Sequence, residues 1–190
     1  MEKKKIVVAS GNKAKIREIA QILTDYEIIS CKDAGFSGEI IEDGNTFLEN
    51  ALIKAKTVAT ALNVPALADD SGICVEALGG APGIYSARYA GDGNDDHNNE
   101  LLLKNMQGQT NRKAKFVCAL AYYAPDGTIK TAIGETHGQI LDGVYGTNGF
   151  GYDPLFYSDD LKMSMGIADP EEKNKVSHRY RALKKIKELL

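Results

Sequence analysis

The first residues whose types and spacing could do chemistry form a polar turn at residues 10–15, here called the N-terminal turn. It reads Ser-Gly-Asn-Lys-Ala-Lys and stands between a short apolar run and a segment with apolar residues at helical spacing. The start of a helix presents N–H groups and a partial positive charge, and both favour phosphate. A phosphate site and a purely structural turn are both compatible with this pattern. The motifs GxxxxGK[ST] and GxGxxG do not occur, which disfavours P-loop nucleotidases and Rossmann dehydrogenases.

Two pairs of adjacent acids are candidate metal ligands. Asp69 and Asp70 follow an apolar run at residues 65–68, where we expect a strand to end. Neighbouring side chains of an extended chain point to opposite sides, so one of the two is expected to face a site. Mg²⁺ prefers oxygen ligands and bridges to phosphates, so a magnesium ion would account for that carboxylate; a solvated polar turn is the alternative. The second pair, Glu42 and Asp43, stands before Gly44 and also fits a solvated loop.

Two later segments could contact a nucleotide. Residues 150–153, here called the aromatic loop, read Phe-Gly-Tyr-Asp, and aromatic side chains between glycines suit stacking on a flat base. A hydrophobic plug is the alternative reading of this loop. Lys173, His178 and Arg179 lie near the start of a basic C-terminal helix and could donate to carbonyl or phosphate oxygens. A lone histidine is more often structural, and most of this basic run fits a solvated helix face.

The elements that must position these residues alternate along the chain. A strand is predicted at residues 6–9, and a helix is predicted after it. A long helix is predicted at residues 46–62, where Thr46 and Glu49 form a capping box. A further strand is predicted at residues 65–68, and residues 73–78 could continue it. Later predictions are a helix from Asn94 to about residue 106, a hairpin around residues 125–128, a strand at residues 139–144, and a helix capped by Asp169. This order predicts one α/β domain over residues 1–190 with a mixed sheet.

Composition narrows the function classes. The net charge of −3 argues against a general affinity for nucleic acid, because phosphate backbones require a basic face. The sequence contains no apolar run long enough to span a membrane, so no membrane partner is expected. Three widely separated cysteines without a CxxC motif indicate a reducing, cytoplasmic location.

The motifs taken together are more specific than any one of them. The order SGNKAK, TFLENALIKA, ADDSG, GGAPGIYSARYAG, GFGYDP and EEKNKVSHRYRAL resembles the inosine triphosphate pyrophosphatase family, in particular its bacterial XTP/dITP diphosphatases. The resemblance runs from Ile6 to Leu183. It implies a mixed α/β fold with two lobes around a long central cleft, a homodimer, and Mg²⁺ as cofactor. It also implies hydrolysis of ITP, dITP and XTP to the nucleoside monophosphate and pyrophosphate, which clears them from the nucleotide pool.

The resemblance also implies roles for individual residues. Asp70 corresponds to the general base and metal ligand, and Glu42 to a second metal ligand, although Ile41 stands where relatives often carry another acid. The implied substrate contacts are Ser10, Gly11, Asn12, Lys13, Ala14, Lys15, Lys54, Ser71, Phe150, Gly151, Tyr152, Asp153, Lys173, His178 and Arg179. Donors from His178 or Arg179 would pair with the 6-oxo group of the base. Two other functions stay open, namely a phosphohydrolase that removes the γ-phosphate and a non-catalytic nucleotide sensor.

Overall fold

The computed structural model describes residues 3–190, which form a mixed sheet with helices. Seven strands pair in the order β2-β1-β3-β4-β5-β6-β7. The strands are β1 (Lys4–Val8), β2 (Tyr26–Ser30), β3 (Ala66–Val75), β4 (Lys113–Tyr123), β5 (Ile129–Ile140), β6 (Phe156–Ser158) and β7 (Met163–Ser164). The α-helices are α1 (Lys13–Ile22), α2 (Phe47–Leu62), α3 (Asp95–Asn105), α4 (Pro170–Lys173) and α5 (His178–Lys187), and 3₁₀ turns span Glu76–Leu78, Gly83–Arg88 and Asp153–Leu155.

Pairing directions confirm the predicted mixed α/β fold. β1 pairs in parallel with both β2 and β3, whereas β6 pairs antiparallel with both β5 and β7. The chain divides into two compact units. Unit 1 comprises residues 1–70, 118–134 and 179–190, and unit 2 comprises residues 71–117 and 135–178.

Unit 1 has a sheet that is apolar on both faces. Along β1, Ile6 and Val8 join a buried cluster with residues of α1 and α5, while Val7 joins a second cluster with α2. Burial on both faces explains why residues 6–9 form a continuous apolar run, as is typical of parallel strands covered by helices. The strand ends of this unit are thereby held rigidly.

Unit 2 has a core of its own. Its buried side chains come from the later parts of β3 and β5, from the first part of β4, from β6 and from α3, and include Ile73, Leu102, Phe116, Ile140 and Phe156. Within the described part of the chain, no helix is both long and apolar enough to cross a membrane.

Several predicted elements have different limits in the structure. The strand expected to end at Asp69 continues through both acids, so the prediction of a strand end there was wrong, whereas the suggested continuation into residues 73–78 is correct as far as Val75. The separate strand predicted at residues 139–144 was also wrong, because its first two residues complete β5, whose Gly138 and Ile140 pair with β6. Thr46 caps α2 as predicted, but the Glu49 carboxylate accepts from the N–H of Asn45 (2.6 Å).

Candidate active site

In unit 1, one buried lysine joins the two acidic pairs. Lys54 on α2 donates through Nζ to Asp70 Oδ1 (3.1 Å) and lies 3.2 Å from Glu42 Oε2. Nζ also donates to the backbone carbonyl of Asp69 (3.0 Å). Although burial opposes it, the carboxylates of Asp70 and Glu42 raise the pKa of Lys54, which therefore stays charged. The lysine thus draws together two acids that are distant in the sequence.

The second oxygen of Asp70 is an open acceptor. Asp70 Oδ2 is buried and makes no hydrogen bond to any described residue. Burial raises the pKa of the Asp70 carboxyl, and the neighbouring Lys54 ammonium only partly opposes this shift. A buried acceptor without a partner is unfavourable for folding, and such groups are often found at functional sites. An oxygen in this position could accept a proton or bind a cation.

Glu42 is held by a loop that packs closely against α2. The side chain of Asn50 accepts from the N–H of Gly44 (2.9 Å), and Asn50 is only 2% exposed. A Cβ atom on Gly44 would lie 2.7 Å from Asn50 Oδ1, so only glycine permits this approach. No role was predicted for Asn50, although it is an amide in the helical stripe that continues to Lys54 and Val58.

The N-terminal turn begins α1 as predicted. Asn12 caps the helix, and its Oδ1 accepts from the N–H groups of Ala14 (3.0 Å) and Lys15 (3.2 Å). The Oγ of Ser10 accepts from the N–H of Asn12 (3.1 Å). Gly11, Asn12 and Lys13 are exposed. The turn is therefore pre-shaped by its own side chains and open to solvent.

Asp69 is the centre of a buried charge network that analysis of the sequence did not predict. Its Oδ1 lies 2.9 Å from Lys15 Nζ, and its Oδ2 accepts from Arg179 Nε (2.7 Å) and from the Cys118 thiol (3.2 Å). Arg179 also pairs with Glu18. Burial alone would raise the pKa of Asp69, but the cations of Arg179 and Lys15 hold it well below its usual range. The two neighbouring acids of β3 thus face different partners, as expected for an extended chain.

In unit 2, the aromatic loop is held by Lys173. Asp153 Oδ2 accepts from the N–H of Phe150 (3.0 Å) and from Lys173 Nζ (2.6 Å). The same ammonium lies 4.9 Å from the centre of the Phe150 ring. A Cβ atom on Gly149 would lie 2.1 Å from Asp153 Oδ2, and the φ angle of +73° at Gly149 also favours glycine. These contacts fix the backbone on which Phe150 is presented.

Two side chains of α3 hold the peptide groups of Gly151, and analysis of the sequence missed both. Asp95 Oδ2 accepts from the N–H of Gly151 (3.0 Å), and Asn99 Nδ2 donates to its carbonyl oxygen (3.1 Å). Asn99 Oδ1 is buried and makes no hydrogen bond to a described residue. The contacts span 56 and 52 residues of sequence, so no local pattern could reveal them.

Two predicted substrate contacts have side chains that are buried within unit 2. Tyr152 is 6% exposed and its hydroxyl donates to the backbone carbonyl of Ser86 (2.6 Å). The ring of His178 stacks on Phe116 with centroids 4.8 Å apart and planes 14° from parallel. Ser71 is half-buried in β3. A separate cavity of about 660 Å³ in unit 2, lined by Cys74, Lys113, Lys115 and His137 among others, contains none of the predicted site residues.

The predicted site residues therefore fall into two sets. Unit 1 holds the N-terminal turn, the exposed Glu42, and the buried side chains of Lys54, Asp70 and Arg179. Unit 2 holds Ser71, the aromatic loop, Lys173 and His178. The first set is rich in paired charges and suits a metal and phosphates, and the second combines aromatic rings with a few directed donors and suits a base.

Comparison with known proteins identifies the family of this chain. A protein of Listeria monocytogenes named dITP/XTP pyrophosphatase is 46% identical over 187 residues, covering 96% of this chain and 92% of the relative. One of Desulforamulus reducens with the same name is 47% identical over 191 residues, covering 98% and 95%. The solved Ham1 protein of Staphylococcus aureus superposes with a TM-score of 0.89 at 43% identity, covering 98% of this chain and 97% of that one. The model of the Ham1 family matches residues 6–189, which confirms the predicted family, and the chain belongs to the Ham1 family.

Proposed function

We propose that this protein hydrolyses the non-canonical purine triphosphates ITP, dITP and XTP to the monophosphate and pyrophosphate. Its relatives in Listeria and Desulforamulus carry the name dITP/XTP pyrophosphatase at nearly full coverage. The observation that carries the proposal is the buried open oxygen of Asp70, set beside the charged Lys54. A carboxylate in that state is suited to take a proton from a water molecule during hydrolysis.

The acids of unit 1 fit a magnesium ion. The carboxylates of Asp70 and Glu42 are oxygen donors of the type that Mg²⁺ prefers. Among residues 3–190, no group of three or more acidic, histidine or cysteine side chains is arranged for a metal. Mg²⁺ commonly binds one or two carboxylates and completes its coordination shell with water and substrate phosphates. When bound, the ion would withdraw charge from the phosphates and make pyrophosphate a better leaving group.

The side chains of unit 1 account for the chemical step. Lys54 fixes Asp70 through Oδ1, which leaves Oδ2 to accept a proton from the attacking water. The water oxygen forms a bond to the α-phosphorus while the bond from that phosphorus to the bridging oxygen breaks, and pyrophosphate leaves. Lys15 and the N-terminal turn bind the phosphate chain, since a triphosphate carries about four negative charges that need nearby cations.

The side chains of unit 2 account for base recognition. Phe150 offers a ring for stacking, and Lys173 and Asp153 hold that ring in place. His178 is a candidate donor to the 6-oxo group of hypoxanthine or xanthine, which adenine lacks. Sites built on such hydrogen bonds can reject the wrong analogue by ~10⁴-fold or more.

The proposal extends to assembly and location. A homodimer is expected from the resemblance to the inosine triphosphate pyrophosphatase family. The cytoplasm is the compartment in which the free thiols of Cys31, Cys74 and Cys118 would remain reduced. Light scattering of the purified protein tests the dimer, and a mass near the 20.6 kDa of a single chain would contradict it.

Product analysis on a panel of triphosphates tests the function. Purified protein with Mg²⁺ is incubated with ITP, dITP, XTP, GTP and ATP, and early time points are separated by chromatography. We expect IMP and pyrophosphate in equal amounts from ITP, and little turnover of ATP. IDP with inorganic phosphate would instead show cleavage at the γ-phosphate, and nucleotide binding without any turnover would show a sensor.

A further inference from the structure

Lys15 is held by a carboxylate that is itself completely buried. The Nζ atom of Lys15 lies 2.9 Å from Asp69 Oδ1, and the Lys15 side chain is only 16% exposed although it begins in a solvent-exposed turn. Asp69 is 0% exposed. Its other oxygen is bound to Arg179 Nε at 2.7 Å, and Arg179 is 1% exposed. The position of the lysine ammonium is therefore tied to the protein interior.

A free lysine is a poor anchor for a phosphate chain. Its flexible four-carbon stem has high rotamer entropy, which is lost when the ammonium is fixed by a ligand. A contact to Asp69 removes that freedom before the ligand arrives and still leaves the ammonium with further N–H donors. The charge of Arg179 balances that of Asp69, so Lys15 keeps its attraction for an anion.

We infer that Asp69 is a positioning residue, which holds the Lys15 ammonium ready for the triphosphate, and that Arg179 acts through Asp69 by balancing its charge. The inference rests on the proposed function, because it takes the N-terminal turn as the phosphate-binding segment. It differs from the role expected of Arg179 as a donor to the base. It also gives a role to the acid of β3 that does not point toward Lys54.

Simple electrostatics and positioning predict opposite results for the same substitution. Asp69→Asn removes a negative charge next to Lys15, so electrostatics alone predicts tighter binding of a polyphosphate. If Asp69 positions Lys15, the same change frees the lysine side chain and binding weakens. The sign of the change in affinity therefore decides between the two.

The experiment measures binding of inorganic tripolyphosphate by calorimetry to the full-length protein with Mg²⁺. This probe has no base, so it reports on the phosphate contacts alone. We expect Asp69→Asn to weaken binding about tenfold, the scale of one charged hydrogen bond. The matched control is Glu18→Gln, which also removes a carboxylate that pairs with Arg179 but leaves Asp69 in place beside Lys15, and we expect a change within about twofold.

A double-mutant cycle separates positioning from a general structural effect. In a Lys15→Met background, Asp69→Asn should cause no further loss of tripolyphosphate affinity, because the group it positions is gone. Equal losses in both backgrounds, or tighter binding by Asp69→Asn alone, would overturn the inference.

A measurement on the unsubstituted protein covers the case in which Asp69→Asn does not fold. Side-chain NMR of the ligand-free protein should show a more ordered Cε–Nζ bond for Lys15 than for the exposed Lys56 on α2. Equal disorder at both lysines would overturn the inference. Failure of the proposed function and failure of this inference give different results. Absence of ITP hydrolysis by the unsubstituted protein contradicts the proposed function, whereas normal hydrolysis with a mobile Lys15 contradicts only the role of Asp69.

Discussion

At the scale of single residues, the two adjacent acids of β3 have opposite environments. Asp69 is balanced by the cations of Lys15 and Arg179, which depress its pKa, whereas burial raises the pKa of Asp70. A depressed pKa marks a group that stays charged as part of the framework. A raised pKa with an open oxygen marks a group suited to exchange a proton.

Substitution of Asp70 tests its part in the reaction. Asp70→Asn should lower kcat for ITP by at least ~10²-fold, because an amide oxygen is a far weaker proton acceptor than a carboxylate. The fold should persist, since the two side chains have nearly the same shape. The measurement is steady-state kinetics with a thermal melt of each protein. Asp43→Asn is the control, because Asp43 is the exposed neighbour of Glu42, and this variant should keep its activity. Near-normal turnover by a folded Asp70→Asn protein would remove Asp70 from the mechanism.

Arg179 should matter for stability as well as for function. Arg179→Ala leaves the carboxylates of Asp69 and Glu18 without their shared cation, and breaking a buried pair costs about 3–5 kcal/mol. Urea denaturation measures the change in the free energy of unfolding. Lys184→Ala, at an exposed position of the same helix, should change it by less than about 0.5 kcal/mol. Equal effects of the two substitutions would show that the buried network contributes little.

At the scale of elements, the aromatic loop depends on a helix that lies far away in the sequence. α3 holds Gly151 through Asp95 and Asn99, and the loop closes on itself through Asp153 and Phe150. The loop contains Gly151 and follows Gly149, so its own sequence restricts its backbone little. Its shape is imposed by contacts from α3 and α4.

Loosening the loop should affect the base and spare the phosphates. Asn99→Ala removes the donor to the Gly151 carbonyl, and a displacement of about 1 Å of a substrate-positioning group can reduce the rate by up to ~10²-fold. We expect kcat/KM for ITP to fall at least about tenfold, with little change in tripolyphosphate affinity. Asn105→Ala on the same helix, which contacts Tyr89 and not the loop, is the control. A parallel loss of tripolyphosphate affinity would show that the substitution acts on more than the loop.

At the scale of the whole molecule, we expect the proposed metal to be required for activity and not for folding. Each unit has an apolar core made of its own buried side chains, and those cores do not involve Asp70 or Glu42. A cation held by two carboxylates at most, with water and substrate as its other ligands, adds little to the stability of the ligand-free protein.

Removal of the metal tests this separation. Treatment with EDTA should abolish ITP hydrolysis while the thermal midpoint changes by less than about 2 °C, a shift that corresponds to less than about 1 kcal/mol in a protein of this size. Added Mg²⁺ should restore turnover. Full activity in EDTA would contradict the magnesium requirement, and unfolding in EDTA would show a structural metal instead.

The sequence alone determined the local elements and the family. A continuous apolar run predicted β1, apolar periodicity predicted α2, and the start signal at Asn94 predicted α3. The side chains of Asn94 and Asp169 cap their helices in the structure as their positions indicated. These features depend on residues that are only a few positions apart, so they can be predicted from the sequence pattern. The order of the motifs was sufficient to identify the family.

Only the tertiary structure decided which charges meet. Asp69 and Arg179 are 110 residues apart, and their pairing explains why two acids are tolerated inside β3, where a strand end was expected. Likewise, nothing near Gly151 in the sequence indicates that Asn99 holds it. A buried charge is stable only where the whole fold brings a partner to it, so its role becomes visible only when the chain is folded.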